Sequence, residues 1–353
     1  MVSMMERVQG CLLGIPIGDS LGYPVETFDP DEILEFTEGV GITAFRNNPN
    51  NAFKSMQHFK PGDTTDDWQL SRAVALAIVK TNGYDYFATV IAQLREYLTS
   101  RAGWGQTTKD GMAHAMEIVG HARRKGIETV AGVILNPSYD KPGKGSGNGV
   151  AMKIAPVAID HFLKYGMKNE SILMSKVYAQ GVLTHPDSRA TDSAYAIAWL
   201  LCSLLDRPLE DDTSKAKDRL QEVIEAVRRF ELHPDFRSKE LQAERVSTKL
   251  EQIQRYGLIH NTVALREDIG TSCFCIQSIP FLIACFLRYP TDFRKGVLYT
   301  INNGGDTDTN GAMVASLIGA NCGVGSIPDE WRKFNRKFEE AVEIGEEMFK
   351  IHN

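Results

Sequence analysis

Apolar residues recur every three or four positions through most of the chain, which is the spacing of α-helices with a buried face. We find no convincing run in which apolar and polar residues alternate strictly, as they do in a half-buried strand. The clearest helical runs are Tyr86–Ser100, Asp192–Leu205, Leu220–Phe230, Gln277–Leu287 and Phe334–Phe349. The pattern predicts an all-α protein of about a dozen helices, joined by loops that carry Gly, Pro and Asp.

Two stretches depart from this apolar helical pattern. Residues 47–63 are polar and rich in helix-breaking residues, so they are predicted to form a loop. Residues 206–268 are highly charged and contain two amphipathic runs, which we interpret as a helical insertion on the surface. Such charges ordinarily form a solvated face, and a partner-binding arm is the alternative. Because no repeat or long linker divides the chain, residues 1–353 are predicted to form one large domain that includes this insertion.

Composition excludes several classes of protein. The chain has 353 residues, of which 43% are apolar and 24% charged, so it has ample material for a core and is not a disordered protein. A net charge of −6 argues against broad nucleic-acid binding. No apolar stretch approaches the roughly 18 residues that a membrane span needs. The first residues lack the basic and apolar segments of a signal peptide.

Cysteine usage favours a reducing compartment. The six cysteines form no CxxC pair, and none lies at a metal-binding spacing from a histidine. Free thiols and a cytoplasmic location are therefore predicted. Cys273 and Cys275 lie at the start of an apolar run, so we interpret both as buried core thiols on a helix.

Two short acidic motifs directly precede apolar helical runs, at residues 62–68 (GDTTDDW) and 304–310 (GGDTDTN). Carboxylates at helix starts often serve only as caps. The runs that follow these two motifs are strongly apolar, however, so both helices are predicted to be buried. Buried carboxylates cannot stay ionised without compensation. No Lys or Arg lies within four residues of Asp306 or Asp308, so a pair of divalent cations is the predicted compensation.

The types of side chain in these motifs indicate which metal they suit. Carboxylate and hydroxyl oxygens without Cys or His fit hard cations such as Mg²⁺, Mn²⁺ or Ca²⁺ rather than Zn²⁺. Thr65 and Thr309 add neutral oxygens beside the charged ones. Acidic residues that are adjacent, such as Asp66 and Asp67, can serve two metals about 3.5–4 Å apart. The sequence therefore predicts a binuclear site.

A third segment is rich in glycine and precedes another helical run. It consists of Gly145, Ser146, Gly147, Asn148 and Gly149. Glycines let backbone N–H groups approach an anion closely, and a helix start adds partial positive charge. The spacing matches neither a Walker A loop nor a dinucleotide-binding fingerprint. We interpret it as an anion-binding loop, with a flexible surface loop as the alternative.

These motifs together resemble the ADP-ribosylglycohydrolase family, which includes ADP-ribosyl hydrolases and the dinitrogenase reductase-activating glycohydrolases. The resemblance runs nearly from end to end and is most specific at the last acidic motif. The matching residues are Gly10–Gly14, Gly18–Gly22, Glu26, Thr65–Asp67, Gly147–Met152, Thr184–Pro186, Gly304–Thr309, Ile327–Pro328 and Trp331.

The resemblance implies an all-α orthogonal bundle with two Mg²⁺ or Mn²⁺ ions at its centre. It implies metal ligation from one side by Thr65, Asp66 and Asp67, and from the other side by Asp306, Asp308 and Thr309. Glu26 matches a glutamate placed at the substrate in some branches and is our candidate catalytic acid/base, expected on a loop above the metals. Residues 145–149 would bind the diphosphate of the substrate, with His185 nearby.

Some residues differ from the family pattern. Trp68 stands where the family usually has a small hydroxyl residue, and Lys153 stands where it often has Arg. Some branches have a catalytic acid in the loop that aligns with residues 101–108, where this chain has none. Tyr139, just before the glycine-rich loop, is a candidate for stacking on adenine. These differences leave the target linkage open.

The resemblance predicts a metal-dependent hydrolase that cleaves the glycosidic bond at C1″ of ADP-ribosyl adducts and releases ADP-ribose. The substrate would be an ADP-ribosylated protein or a small molecule, without broad nucleic-acid or membrane binding. One alternative is a non-catalytic relative that binds ADP-ribose or has a structural role. Another is a metal-dependent phosphohydrolase that cleaves the diphosphate.

Overall fold

Helices make up the protein, which a computed structural model describes over residues 2–124, 145–236, 244–334 and 336–352. These ranges contain sixteen α-helices and five short 3₁₀ turns. They contain no β-strand, and their single β-bridge joins Gly147 to Phe274. The predicted all-α fold is confirmed. Tyr139, the candidate for adenine stacking, lies outside the described residues.

The described helices lie on either side of the glycine-rich loop in the sequence. Those before the glycine-rich loop are α1 (Met4–Gly22), α2 (Pro30–Phe36), α3 (Asp66–Lys80), α4 (Tyr86–Thr99) and α5 (Gln106–Arg124). Those that follow it are α6 (Ala155–Tyr165), α7 (Glu170–Val182), α8 (Ser188–Asp206), α9 (Thr213–Glu231), α10 (Val246–Tyr256), α11 (Thr262–Asp268), α12 (Cys275–Arg288), α13 (Phe293–Ile301), α14 (Thr307–Cys322), α15 (Asp329–Arg332) and α16 (Arg336–Lys350).

Helices α1 and α14 run antiparallel through the centre, where their backbones touch. A Cβ atom added to Gly14 would lie 2.4 Å from the carbonyl oxygen of Ala315, and one added to Gly18 would lie 2.1 Å from that of Gly311. Only glycine leaves room for such an approach. The contact repeats once per helical turn, with α1 contributing Gly10, Gly14, Gly18 and Gly22, and α14 contributing Thr307, Gly311, Ala315 and Gly319.

The described residues between 206 and 268 form α9, α10 and α11, with a 3₁₀ turn at Leu258–His260. The two amphipathic runs predicted there correspond to α9 and α10. Helix α9 packs on α8, and α10 packs on α9 and α12. Their apolar faces join the main core through Leu220, Val223, Ile224, Val227, Phe230, Leu250 and Ile253. The charged residues lie mainly on the opposite faces, as the pattern predicts.

Most helix predictions agree with the structure to within a few residues, and residues 47–63 form a loop with one 3₁₀ turn at Lys54–Met56. Two details are wrong. Phe334 precedes α16 rather than beginning it. Cys273 is exposed and lies before α12, whereas Cys275 is buried at the start of that helix. The apolar run begins two residues earlier in the sequence than the helix does in the structure.

A search of the described helices finds none with the length and apolar character needed to cross a membrane.

Replacing Gly14 with Ala should destabilise the protein strongly, because the added methyl group meets backbone atoms that cannot rotate away. Overpacking of this kind costs about 1–3 kcal/mol, and backbone neighbours place Gly14→Ala at the upper end. Gly325→Ala is the matched control, since nothing lies within 4 Å of its added Cβ. Urea unfolding of both variants measures the effect. Equal midpoints for the two variants would contradict the close packing of α1 and α14.

Candidate functional site

The starts of α3 and α14 meet at the centre of the bundle and bring the two acidic motifs together. Asp66, Asp67, Asp306 and Asp308 are all buried. Thr309 of α14 donates from Oγ1 to Asp67 Oδ2 of α3 at 3.2 Å, so the two motifs are in direct contact. The burial of both helices, predicted from their apolar runs, is observed.

Two glycines shape the turn that leads into α14. Gly304 and Gly305 have φ angles of +76° and +84°, which residues with a side chain rarely adopt. A Cβ on Gly304 would lie 2.4 Å from Phe28 O, and one on Gly305 would lie 2.2 Å from Thr271 Oγ1. Gly305 donates to Phe28 O at 2.8 Å and accepts from Thr27 N at 2.8 Å. The turn therefore holds the segment after Glu26 against the start of α14.

Asp19 is a fifth carboxylate at this site, and the sequence analysis did not assign it a role. It lies near the end of α1, fully buried, and accepts hydrogen bonds from the backbone N–H groups of Thr65 at 3.0 Å and Trp68 at 3.1 Å. It thus caps the start of α3 from another helix. An Asp inside a long apolar helix is unusual in itself, and this signal could have identified it.

Glu26 is the sixth carboxylate and lies on the other side of Asp308. It directly follows the 3₁₀ turn Tyr23–Val25 and is partly buried. Among the described residues, two groups of three carboxylates have oxygen atoms within 4.8 Å of one another and could hold a metal ion. These groups are Asp19, Asp67 and Asp308, and Glu26, Asp306 and Asp308. Asp308 belongs to both, which places the two groups side by side.

The donor set suits hard divalent cations. Thr65 Oγ1 and Thr309 Oγ1 both donate to Asp67 Oδ2, at 3.1 and 3.2 Å. The other oxygen, Asp67 Oδ1, is buried without a hydrogen-bond partner among the described residues. A buried carboxylate oxygen left in this way needs a cation or a proton. Carboxylates and hydroxyls without Cys or His fit Mg²⁺ or Mn²⁺.

Burial and mutual repulsion disfavour charge on these carboxylates in the metal-free protein. Burial raises the pKa of Asp19 to about 7, and burial with the charge of Asp19 raises the pKa of Asp66 to about 7. Burial also raises the pKa of Glu26 well above its ordinary range, and the charge of Asp306 adds to this rise. Cations placed among these groups would favour the ionised forms.

The glycine-rich loop lies beside the carboxylates. Its Asn148 side chain donates to Asp306 Oδ2 at 2.6 Å and to Ser278 Oγ at 2.9 Å. Ser278 in turn donates to Asn310 Oδ1 at 2.6 Å. The backbone N–H of Asn148 donates to Cys273 O at 3.0 Å, so this N–H is not available to an anion. The contacts of Ser278 and Asn310 with this loop were not predicted, because both residues lie inside helices that are far from the loop in the sequence.

His185 packs against the same loop, as expected. A Cβ on Gly149 would lie 2.9 Å from His185 Cε1, and the ring nitrogen Nδ1 is 2.8 Å from Thr184 Oγ1. Gly145 adopts a φ of +82° against Pro186. Burial lowers the pKa of His185 to about 3, helped by the nearby charge of Lys153, so the imidazole is neutral. Its one N–H can donate a hydrogen bond to a bound anion.

Comparison with known proteins identifies relatives of the chain. A sequence profile described as ADP-ribosylglycohydrolase matches residues 2–352. The chain belongs to the ADP-ribosylglycohydrolase family. It is 25% identical to ADP-ribosylhydrolase ARH3 of Mus musculus, over 98% of this chain and 92% of that protein. It is 23% identical to ADP-ribosyl-[dinitrogen reductase] glycohydrolase of Rhodospirillum rubrum, over 96% and 94%.

The fold is shared with a solved structure described as an ADP-ribosylglycohydrolase-related protein complex. The two agree with a TM-score of 0.66 at 22% sequence identity, and the match covers 99% of each chain. This likeness shows the common all-α architecture of the family.

Lys153, one of the departures from the family pattern, is fully buried next to the glycine-rich loop. Its Nζ donates to Gln93 Oε1 at 2.7 Å. Burial lowers the pKa of Lys153 to about 7, and the charge of Asp66 opposes this decrease. A second departure, Trp68, is also buried, and its indole lies in the main core.

The metal-free protein should lose stability as the pH rises from about 4 to about 7. Asp19 has a folded pKa of about 7, whereas it ionises near 3.8 when unfolded. The folded state therefore binds more protons in this window, and raising the pH favours unfolding. Asp19→Asn removes this titration, so its stability relative to wild type should improve across the window. Chemical unfolding in chelator measures both, and a constant difference would contradict the burial of a titrating Asp19.

Proposed function

We propose that the protein hydrolyses the glycosidic bond at C1″ of ADP-ribosyl adducts and releases ADP-ribose. The observation that carries this proposal is the 2.6 Å hydrogen bond from Asn148 to Asp306. This hydrogen bond joins the glycine-rich loop to the carboxylate cluster. The loop is suited to bind a diphosphate, and the carboxylates are suited to bind cations near the sugar. Family membership supports the same activity. The acceptor is a protein side chain or a small molecule.

Six residues from the two acidic motifs are proposed to hold two Mg²⁺ or Mn²⁺ ions, namely Thr65, Asp66, Asp67, Asp306, Asp308 and Thr309. We add Asp19 to this proposed set, because its carboxylate lies close to those of Asp67 and Asp308. When bound, such ions supply positive charge that fixes ribose hydroxyls and makes a bound water more acidic. Asn148 of the glycine-rich loop donates a hydrogen bond to Asp306, so binding of the substrate at this loop is linked to the position of Asp306 as a metal ligand.

The substrate is proposed to bind with its diphosphate at Gly145–Gly149 and His185. Binding energy from this remote group positions the sugar for reaction. In the reaction, the bond from C1″ to the acceptor breaks, water gives its hydroxyl to C1″, and a proton goes to the acceptor. Glu26 is the proposed acid/base that moves this proton. Burial and the charges of Asp306 and Asp66 raise the pKa of Glu26, which suits a group that must hold a proton.

Two broader features also remain proposals. We propose that residues 1–353 form one domain with a charged helical insertion at about 206–268, because the apolar faces of α9 and α10 belong to the main core. We propose a cytoplasmic location, supported by six cysteines that are all free thiols.

Activity should require a divalent cation, and the product should be ADP-ribose. Chelation is expected to abolish turnover of an ADP-ribosylated substrate, and Mg²⁺ or Mn²⁺ should restore it, whereas Zn²⁺ should not. Chromatography of the products, with a panel of substrates that carry different acceptors, tests the linkage at the same time. AMP with ribose phosphate would indicate a phosphohydrolase instead. Full turnover by protein shown to be metal-free would refute the metal requirement.

Glu26→Gln should separate chemistry from binding. The amide keeps the shape of the side chain but cannot carry the proton, so turnover should fall by about 10²–10⁴-fold. ADP-ribose affinity and bound Mn²⁺, measured by calorimetry and elemental analysis, should change little. Glu35→Gln, on an exposed position of α2, is the control and should retain full activity. If Glu26→Gln loses one Mn²⁺ per chain, then Glu26 is a ligand beside Asp306 and Asp308, and its acid/base role is wrong.

A further inference from the structure

The loop between α4 and α5, residues 100–105, forms one wall of the carboxylate site. Its closest approach is at Gly103, whose φ is +82°. A Cβ on Gly103 would lie 2.8 Å from Asp66 Oδ1 and 2.9 Å from Thr65 Cβ. The backbone of the loop is therefore in contact with the Asp66 carboxylate, and a side chain at this position would displace it.

Three hydrogen bonds through one amide hold this loop in place. The indole Nε1 of Trp104 donates to Gln69 Oε1 at 2.8 Å. Gln69 Nε2 donates to Ser100 O at 3.2 Å and to Glu96 Oε2 at 3.0 Å. Gln69 belongs to α3, the helix that also carries Asp66, and it ties both ends of the loop to that helix. We refer to Gln69, Glu96, Ser100 and Trp104 as the Gln69 clamp.

The contacts of Trp104 make the clamp sensitive to the loss of Gln69. Trp104 is 3% exposed and packs in a second apolar cluster with Leu70 and Leu94. Its ring centroid lies 5.7 Å from that of Tyr97. If the acceptor at Gln69 is removed, the indole N–H is left buried without a hydrogen-bond partner, which is unfavourable. The loop must then move, or the unsatisfied donor must reach water.

There is room for such a movement. A cavity of about 300 Å³ borders the loop and is lined in part by Gln69, Ser100 and Ala102, together with Thr65 before the first turn of α3. The clamp therefore holds the loop against Asp66, next to a space that the loop could otherwise enter.

We infer that Gln69 is a positioning residue for the metal ligand Asp66, because its clamp presses the Gly103 backbone against the Asp66 carboxylate and fixes its orientation. This inference rests on the proposed function, in which Asp66 ligates a cation. A ligand fixed before binding loses less conformational freedom when the cation binds. Partners that orient metal ligands typically contribute 10–100-fold in affinity, and Gln69 acts through the loop, so about tenfold is expected.

Mn²⁺ titration calorimetry on the full chain tests this inference without requiring activity. Gln69→Leu removes the acceptor and both donors, and it should weaken Mn²⁺ binding about tenfold. Trp104→Phe keeps an aromatic ring but removes the N–H, and it should weaken binding in the same direction. It also provides the measurement if Gln69→Leu does not fold. Gln254→Leu, at an exposed position of α10, is the control and should bind as wild type does.

A double-mutant cycle separates positioning from general destabilisation. Gly103→Ala should weaken Mn²⁺ binding in the wild-type background, because its methyl group would lie 2.8 Å from Asp66 Oδ1. In the Gln69→Leu background the loop can move away from Asp66, so the same substitution should weaken Mn²⁺ binding clearly less. Residues that act as one unit show such non-additivity, whereas independent sites add.

Each outcome decides between the two proposals. Weaker binding by the Gln69 and Trp104 variants, together with a non-additive cycle, supports the clamp. Wild-type binding by both variants, or an additive cycle, overturns the clamp and leaves the proposed metal site intact. Failure of the wild-type protein to bind Mn²⁺ overturns the metal site, and the clamp with it.

Discussion

The backbone contact between α1 and α14 decides where the chemistry of this protein lies. Two helices whose carbonyl oxygens meet the Cα atoms of glycines cannot slide or rotate without a clash. Because the helices are antiparallel, the last turn of α1 lies beside the first turn of α14. At that end, a Cβ on Gly22 would lie 2.3 Å from Thr307 O. The contact therefore brings Asp19 and the segment that contains Glu26 to the side of Asp308.

That arrangement is unfavourable for the fold by itself. Carboxylates that are buried together repel one another and lose hydration, and the protein offsets this only in part. The start of α3 donates two N–H groups to Asp19, Asn148 donates to Asp306, and both helix N-termini contribute partial positive charge. Asp67 Oδ1 still has no hydrogen-bond partner among the described residues. Sites that break the ordinary rules of burial are commonly functional, and a cation is the partner that we propose for this oxygen.

The local pattern of apolar and charged residues was sufficient to predict the all-α fold and to find the two acidic motifs. The helical period needs no knowledge of neighbours, and carboxylates before strongly apolar helices imply a buried site. The role of Asp19 was missed because it depends on which helix α1 touches, and the glycine spacing that determines this was not used. The bond between Asn148 and Asp306 spans 158 positions, and the Gln69 clamp depends on the path of a loop. Such pairs follow from packing, which a single sequence shows only weakly.

The loop between α4 and α5, residues 100–105, links the departures of this chain from the family pattern to its proposed mechanism. Where some branches of the family carry an acid, this chain places the Gly103 backbone in contact with Asp66. The loop therefore carries no acidic residue at this point, and the contact between Gly103 and Asp66 leaves no space for an acidic side chain. In the described part of the chain, Glu26, Asp306 and Asp308 form one of the two groups of neighbouring carboxylates. Asp306 already accepts a hydrogen bond from Asn148, and Asp308 lies between the two groups of carboxylates. Glu26, which is partly buried, is the carboxyl group that we propose to exchange a proton with a departing acceptor.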